Sequence, residues 1–90
     1  MKISEKKREK ISEQILAHLF SISPKPIFTS HIAQEMARDE EFIKNIMFEL
    51  KNKKLVSEIK KNAKGVPYLR RARWKLTDSV YQAYKQKQTF

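Results

Sequence analysis

The sequence predicts a mainly α domain with a small antiparallel sheet, whose elements follow the order α-β-α-α-β-β-α. Apolar residues recur at helical spacing in two long segments, 4–21 and 39–53, which predicts two amphipathic helices. Prolines interrupt the chain after the first of these segments. The only glycine, Gly65, lies among turn-forming residues between two apolar-basic segments, which predicts a β-hairpin. The 90 residues suit a single domain, 1–90, and contain no internal repeat.

The first helix is expected from Ser4 to Ser21, with Ser4 as its N-cap and residues 1–10 as an exposed lead-in. Pro24 and Pro26 then favour extended backbone, which predicts a short strand over 27–28. A short second helix follows and ends at Met36. Its N-cap candidates are Thr29 and Ser30.

The third helix is expected from its N-cap, Asp39, to about residue 53. At 100° per residue, one arc of about 140° is entirely apolar and forms the expected core face. That face consists of Phe42, Ile43, Ile46, Met47 and Leu50. The opposite face consists of Glu41, Lys44, Asn45, Phe48 and Asn52.

The predicted hairpin spans 55–76, and its returning strand alternates between two kinds of side chain. Ala72, Trp74 and Leu76 are expected to face inward, and Arg71, Arg73 and Lys75 outward. Trp74 is expected to pack against the first helix, with a role as an aromatic platform for nucleic acid as the alternative. Thr77 is expected to cap a last helix over 77–88, whose apolar stripe is Val80, Tyr81 and Tyr84.

The composition excludes several classes of protein. With 40% hydrophobic residues the chain is too apolar for a disordered tail. The absence of cysteine excludes disulfides and thiolate metal sites, and a single glycine excludes a glycine-rich phosphate loop. No apolar run exceeds three residues, so we expect no membrane span and no signal peptide.

The basic residues are concentrated in the hairpin. The chain has 20 Lys and Arg against 10 Asp and Glu, a net charge of +10. Residues 59–75 contain seven basic side chains and no acidic one. Such a segment attracts polyanions: DNA, RNA or an anionic membrane face. The alternative is a solvated surface that serves only solubility.

The order of elements and the segment 32–56 resemble a winged helix-turn-helix DNA-binding domain. Ala33 matches the small residue of the second helix, and Ala37 lies at the turn position that is usually glycine. Apolar residues follow at the expected spacings, namely Ile43, Ile46, Leu50, Leu55 and Val56. The segment RWKLTDSV, from Arg73 to Val80, is similar to small bacterial and archaeal transcriptional regulators of the multiple-antibiotic-resistance and PadR kind.

Two customary glycines of this pattern are replaced, by Ala37 in the turn and by Lys54 before the apolar pair. A left-handed alanine costs about 1 kcal/mol. We therefore expect a turn wider than is usual in the family.

The resemblance implies that the third helix enters the major groove of double-stranded DNA and that the wing, the hairpin 55–76, follows the backbone or the minor groove. By position, the groove-facing residues are Glu41, Lys44, Asn45 and Phe48. Asn45 suits adenine, Lys44 suits guanine or phosphate, and Phe48 suits a thymine methyl. For Phe48, a dimer contact or a satellite of the core is an equal alternative.

The helix that should read bases begins with three acidic residues, Asp39, Glu40 and Glu41. They suit the helix dipole, and near DNA they are a cost. Affinity is therefore expected from the wing residues Lys60, Lys61, Lys64, Arg70, Arg71 and Arg73. Further phosphate contacts are expected at the start of the second helix, from Thr29, Ser30 and His31.

We expect no enzyme, no metal, no cofactor and no small-molecule ligand, because no nucleophile–base set or ligand cluster is visible. His18 is expected in a packing role. The expected function is sequence-specific regulation of transcription, in the cytoplasm and associated with the nucleoid, by a homodimer formed through the first and last helices. Alternatively, these helices close the domain's own core. Two rival functions are a low-specificity architectural or RNA-binding factor and a protein-interaction module.

Overall fold

A computed structural model describes residues 4–59 and 72–87 of the chain. The elements are α1 (Glu5–Ile22), β1 (Ile27–Phe28), α2 (Thr29–Met36), α3 (Glu40–Asn52), β2 (Val56–Ile59), β3 (Arg73–Leu76) and α4 (Asp78–Lys87). This order confirms the predicted fold class. No helix in these two ranges is long and apolar enough to cross a membrane.

The first helix, α1, begins where its sequence predicts. Oγ of Ser4 accepts a hydrogen bond from the backbone N–H of Lys7 at 3.3 Å, which satisfies one of the free amides of the first turn. Residues 5–10 are helical turns with mostly exposed side chains. Four apolar residues at helical spacing form the inner face of α1 and are all buried: Ile11, Ile15, Leu16 and Leu19.

The sheet is antiparallel and has the strand order β1-β3-β2. The central strand β3 places Trp74 opposite Ile27 on one side and opposite Glu58 on the other. Trp74 and Leu76 are buried, while Lys75 is exposed. The inward and outward alternation predicted for these residues is therefore confirmed.

The turn between α2 and α3 is tight. Ala37 adopts the left-handed conformation (φ 53°, ψ 46°), and the N–H of Arg38 donates to the carbonyl of Ala33 at 3.0 Å. This bond closes the C-terminus of α2 around a left-handed residue, a position usually held by glycine. The expectation of a wider turn is wrong, because the alanine adopts the glycine conformation itself.

The same device ends α3. Lys54 has a φ of 62°, and the N–H of Leu55 donates to the carbonyl of Leu50 at 2.9 Å. The two replaced glycines are thus the two non-glycine residues with positive φ within the described ranges. Both turns therefore adopt left-handed backbone geometry without glycine.

One predicted cap is corrected, and a second predicted cap residue also makes a tertiary contact. The N-cap of α2 is Phe28, whose side chain makes no capping bond, and Thr29 is already the first helical residue. Thr77 directly precedes α4, as predicted, and its carbonyl accepts a hydrogen bond from the N–H of Tyr81 at 2.9 Å. Its hydroxyl donates to the carbonyl oxygen of Lys54 at 3.1 Å. Both hydroxyls are used in tertiary contacts, which local capping preferences do not anticipate.

One hydrophobic core joins α1, α2, α3 and the sheet. Its buried apolar residues are Ile11, Ile15, Leu16, Leu19, Ile32, Ala33, Ile43, Ile46, Met47, Leu50, Val56, Trp74 and Leu76. The last helix, α4, has no fully buried residue. It reaches α1 through rings, since Tyr81 and Tyr84 each lie 5.5 Å from the ring of Phe20 between centroids.

Candidate nucleic-acid interface

The polar face predicted for the third helix is exposed as one surface. Glu41, Lys44, Asn45 and Phe48 are all exposed, because the apolar arc of α3 is turned into the core. Of that arc, Ile43, Ile46, Met47 and Leu50 are buried. Phe42 is only partly buried, with the guanidinium groups of Arg8 and Arg38 at 5.6 and 5.9 Å from its ring centroid.

The acidic start of α3 has a structural function. The Oδ2 of Asp39 accepts hydrogen bonds from the backbone N–H groups of Glu41 at 3.1 Å and Phe42 at 3.3 Å. The carboxylate therefore caps the helix and lies at the positive end of its dipole. Glu40 and Glu41 are exposed beside it.

Phe48 is exposed on one side and supported on the other. Its side chain is 38% exposed, and its ring meets that of Trp74 edge-on, 5.9 Å between centroids at an angle of 79°. The Nζ atoms of Lys44 and Lys51 each lie 6.0 Å from its centroid. Trp74 itself is 1% exposed. Burial confirms the predicted inward orientation of Trp74, while its contact with Phe48 was not foreseen.

A salt bridge beside Phe48 connects α3 to the sheet. The Nζ of Lys51 lies 2.8 Å from Oε1 of Glu58, whose side chain is 8% exposed. Glu58 is the cross-strand partner of Trp74. Lys51 is a residue beside this face that the sequence did not single out. Helical geometry alone places Lys51 three residues after Phe48, the only available signal for it.

The three residues predicted to contact phosphate at the start of α2 differ in their exposure. Thr29 is 8% exposed, and its Oγ1 accepts a hydrogen bond from Nε1 of Trp74 at 2.7 Å. This placement corrects its predicted role, because the hydroxyl is committed to the interior. Ser30 and His31 are exposed, and their phosphate contacts stay predictions.

Arg73 joins the hairpin to this region. Its guanidinium carbon lies 5.9 Å from the ring centroid of Phe28, and the ring of His31 meets Phe28 edge-on at 5.8 Å. One basic hairpin residue is thus brought beside the start of α2. The other predicted wing residues, Lys60, Lys61, Lys64, Arg70 and Arg71, lie outside the described residues.

A groove of about 310 Å³ lies away from this surface, between α1 and the C-terminal end of α3. Across the groove, Nη2 of Arg8 on α1 lies 2.6 Å from Oε1 of Glu49 on α3. The groove is lined by Glu5, Arg8, Glu9, Ser12, Glu13, Leu16, Glu49, Leu50, Lys53 and Leu55. The described residues contain no cluster of three metal-ligating side chains.

His18 is half-buried on α1, and the packing role expected for it stays a prediction. Its Nε2 is buried and has no hydrogen-bond partner among the described residues.

No family model and no curated protein matches this sequence. Solved structures do match. The MepR–DNA complex of Staphylococcus aureus has a TM-score of 0.69 and 20% sequence identity, covering 90% of this chain and 66% of that one. A second MepR structure, described as a transcription regulator of the multidrug efflux pump MepA, has a TM-score of 0.66 and 20% identity, covering 86% of this chain and 55% of that one.

Two further structures extend the comparison. ZitR of Lactococcus lactis, described as a zinc-responsive MarR family member, has a TM-score of 0.63 and 15% identity, covering 97% of this chain and 52% of that one. AF1382 of Archaeoglobus fulgidus has a TM-score of 0.60 and 16% identity, covering 94% of this chain and 84% of that one.

The chain thus spans between half and two thirds of the length of the MepR and ZitR chains. At these identities the likeness concerns the backbone. The chain has the winged helix-turn-helix fold that these transcription regulators share.

Proposed function

We propose that the protein binds double-stranded DNA as a small transcriptional regulator, with α3 in the major groove. The observation that carries the proposal is the exposed face of Glu41, Lys44, Asn45 and Phe48 on the second helix of a helix-turn-helix. The likeness to MepR, a protein solved in complex with DNA, supports it.

The chemistry of this face suits base edges. The carboxamide of Asn45 has a donor and an acceptor, which match N6 and N7 of adenine. The ammonium of Lys44, one residue earlier on α3, suits O6 and N7 of guanine or a neighbouring phosphate. Both side chains are exposed. Sequence preference is assigned to these residues, with Glu41 as an acceptor for cytosine N4.

Backbone contacts are assigned to the residues around β3 and the start of α2. Arg73 lies beside Phe28 and His31, and the exposed Ser30 adjoins them. The segment 60–71 between β2 and β3 adds five basic residues and no acidic one. Phosphate contacts of this kind supply affinity that is independent of sequence and sensitive to salt.

A homodimer formed through α1 and α4 completes the proposal. Tyr81 and Tyr84 of α4 pack on Phe20 of α1 but stay partly exposed, so they leave apolar surface for a second copy. Two-fold symmetry would place two recognition helices about one DNA turn apart. The protein is proposed to act in the cytoplasm, at the nucleoid. Its proposed role is binding and not catalysis.

The experiment that tests the proposal is selection of bound duplexes from a random-sequence DNA pool. We expect enrichment of a two-fold-symmetric site. Tight binding without enrichment would support the rival low-specificity factor. If duplex DNA at about 0.15 M salt bound no better than heparin, the protein-interaction module would replace DNA binding as the function.

A further inference from the structure

Phe48 is the large hydrophobic side chain that the described residues expose, at 38% of its surface. It lies on α3 in register with Glu41, Lys44 and Asn45, the residues proposed to face the major groove. An apolar ring at that position has few partners on DNA. The apolar group of the major groove is the 5-methyl group of thymine.

The ring of Phe48 is held in place from below. It meets the Trp74 ring edge-on, with centroids 5.9 Å apart. Trp74 is in turn fixed by its hydrogen bond to Oγ1 of Thr29 at 2.7 Å and by its place in the central strand. A side chain that is already ordered loses little entropy on binding, so its contacts contribute more to affinity.

The charges around Phe48 favour an anionic partner over an apolar one. The Nζ atoms of Lys44 and Lys51 lie 6.0 Å from the ring centroid. Lys51 is paired with Glu58, whereas Lys44 is exposed beside the ring. An apolar protein partner would have to desolvate this ammonium group, whereas a DNA groove supplies phosphates for it.

We propose that Phe48 selects duplexes that carry a pyrimidine 5-methyl group, in thymine or 5-methylcytosine, over the same duplexes with uracil or cytosine. The inference rests on the proposed DNA-binding function. 5-Methylcytosine presents its methyl group from the same ring position as thymine, so the contact makes binding sensitive to cytosine methylation. An RNA duplex, which lacks the methyl group and has a deep, narrow major groove, is rejected.

The test uses three random-sequence duplex pools of about 24 base pairs, long enough for two half-sites. One contains thymine, one uracil in its place, and one both uracil and 5-methylcytosine. Dissociation constants are measured for the wild-type protein, Phe48→Ala, Phe48→Leu and the control Gln34→Ala. Gln34 is exposed on α2, away from the polar face of α3.

We expect the wild-type protein to bind the thymine pool about threefold more tightly than the uracil pool, the effect of burying roughly one methyl group. The pool with 5-methylcytosine should recover most of this loss. Phe48→Ala should bind all three pools equally, and Gln34→Ala should keep the preference. Phe48→Leu retains an apolar side chain over Trp74 and should keep part of it.

Equal binding of the three pools by the wild-type protein overturns the inference but leaves DNA binding intact. A preference that persists in Phe48→Ala also overturns it. If the wild-type protein prefers no pool and Phe48→Ala changes the sedimentation of the protein, Phe48 contacts a second copy, which also overturns the inference. Failure of every pool to bind better than heparin refutes the proposed function itself.

Discussion

The indole nitrogen of Trp74 donates a hydrogen bond to Oγ1 of Thr29 at 2.7 Å, in the interior of the protein. Trp74 lies in the central strand of the sheet, and Thr29 is the first residue of α2. The ring of Trp74 also contacts the ring of Phe48 on α3. One side chain therefore connects the start of α2, the strand β3 and the helix α3.

Thr29→Val should destabilise the fold by about 1–3 kcal/mol, because valine keeps the shape of threonine but leaves the buried indole N–H without an acceptor. Trp74 is the only tryptophan of the chain, so its fluorescence reports unfolding in urea directly. Thr29→Ser is the matched control. It keeps the hydroxyl and should lose only the contribution of one methyl group, about 1 kcal/mol.

The same pair separates structure from DNA binding. Because the Thr29 hydroxyl is used inside the protein, Thr29→Val should leave the salt dependence of DNA binding unchanged under conditions where the variant is folded. A decrease in that dependence by about one contact would restore Thr29 as a phosphate ligand.

The local sequence predicted the burial of Trp74 but not its hydrogen bond to Thr29. Alternation along β3 placed Trp74 inside, and the structure agrees. Its partner is 45 positions away in sequence, and a threonine before a helix is most often an N-cap. The preference for a local cap gave way to a tertiary hydrogen bond, which no pattern within α2 reveals.

Ala37→Gly and Lys54→Gly should each stabilise the protein by about 1 kcal/mol, because both residues have positive φ and glycine adopts that conformation without strain. Urea midpoints measure the effect. Ala17→Gly is the matched control: Ala17 is exposed within α1, where the same substitution should destabilise by about 1 kcal/mol. Destabilisation at Ala37 as well would mean that its left-handed conformation carries no strain.

At Ala37 and Lys54 the spacing of the apolar residues was a better guide to the backbone than the preference of each residue. The spacing of apolar residues in α2 and α3 predicted the helix-turn-helix, and the core residues Ile32, Ala33, Ile43 and Ile46 are buried accordingly. Replacing glycine with alanine suggested a wider turn. Packing of α2 on α3 outweighs a backbone cost of about 1 kcal/mol, and that balance is not visible from one residue.

Asp39→Ala should lower the stability by about 1 kcal/mol, since two amide groups at the start of α3 lose their acceptor. Urea unfolding measures this loss. Asp39→Asn keeps an oxygen for capping while removing the negative charge, so it should tighten DNA binding at low salt with little change in stability. Weaker DNA binding by Asp39→Asn would indicate that the carboxylate contacts the DNA.

Replacing Arg70, Arg71 and Arg73 with alanine should weaken binding to all duplexes and reduce the salt slope by up to about three contacts. The control replaces three exposed lysines of α1, Lys6, Lys7 and Lys10, and so makes the same change in net charge. Equal salt slopes for the two triple variants would show that the effect is one of total charge, and would remove the wing from the interface.

Asn45→Ala should change the selected DNA sequence more than the overall affinity, because a lost bidentate contact relaxes preference at one base pair by about 1–3 kcal/mol. Selection from a random pool with Asn45→Ala and with the control Gln34→Ala, at an exposed position of α2, provides the comparison. An unaltered preference would exclude Asn45 from base reading.

Tyr84 makes the packing of α4 sensitive to alkaline pH. Burial against Phe20, and secondarily the negative charge of Glu13, raise the pKa of the Tyr84 hydroxyl above 10.0. The unfolded chain therefore loses this proton first as the pH rises. Tyr84 contributes its full stabilisation below pH 10 and loses it as the pH rises through the higher pKa of the folded state.

The measurement is urea unfolding between about pH 9 and 11. Tyr84→Phe should reduce the alkaline loss of stability, and Glu13→Gln should reduce it by less, since burial is the larger cause. Glu5→Gln removes the same charge from a different turn of α1 and should leave the pH dependence as in the wild type. An identical alkaline loss in Tyr84→Phe would show that the α4 contact with Phe20 does not disfavour the ionised side chain.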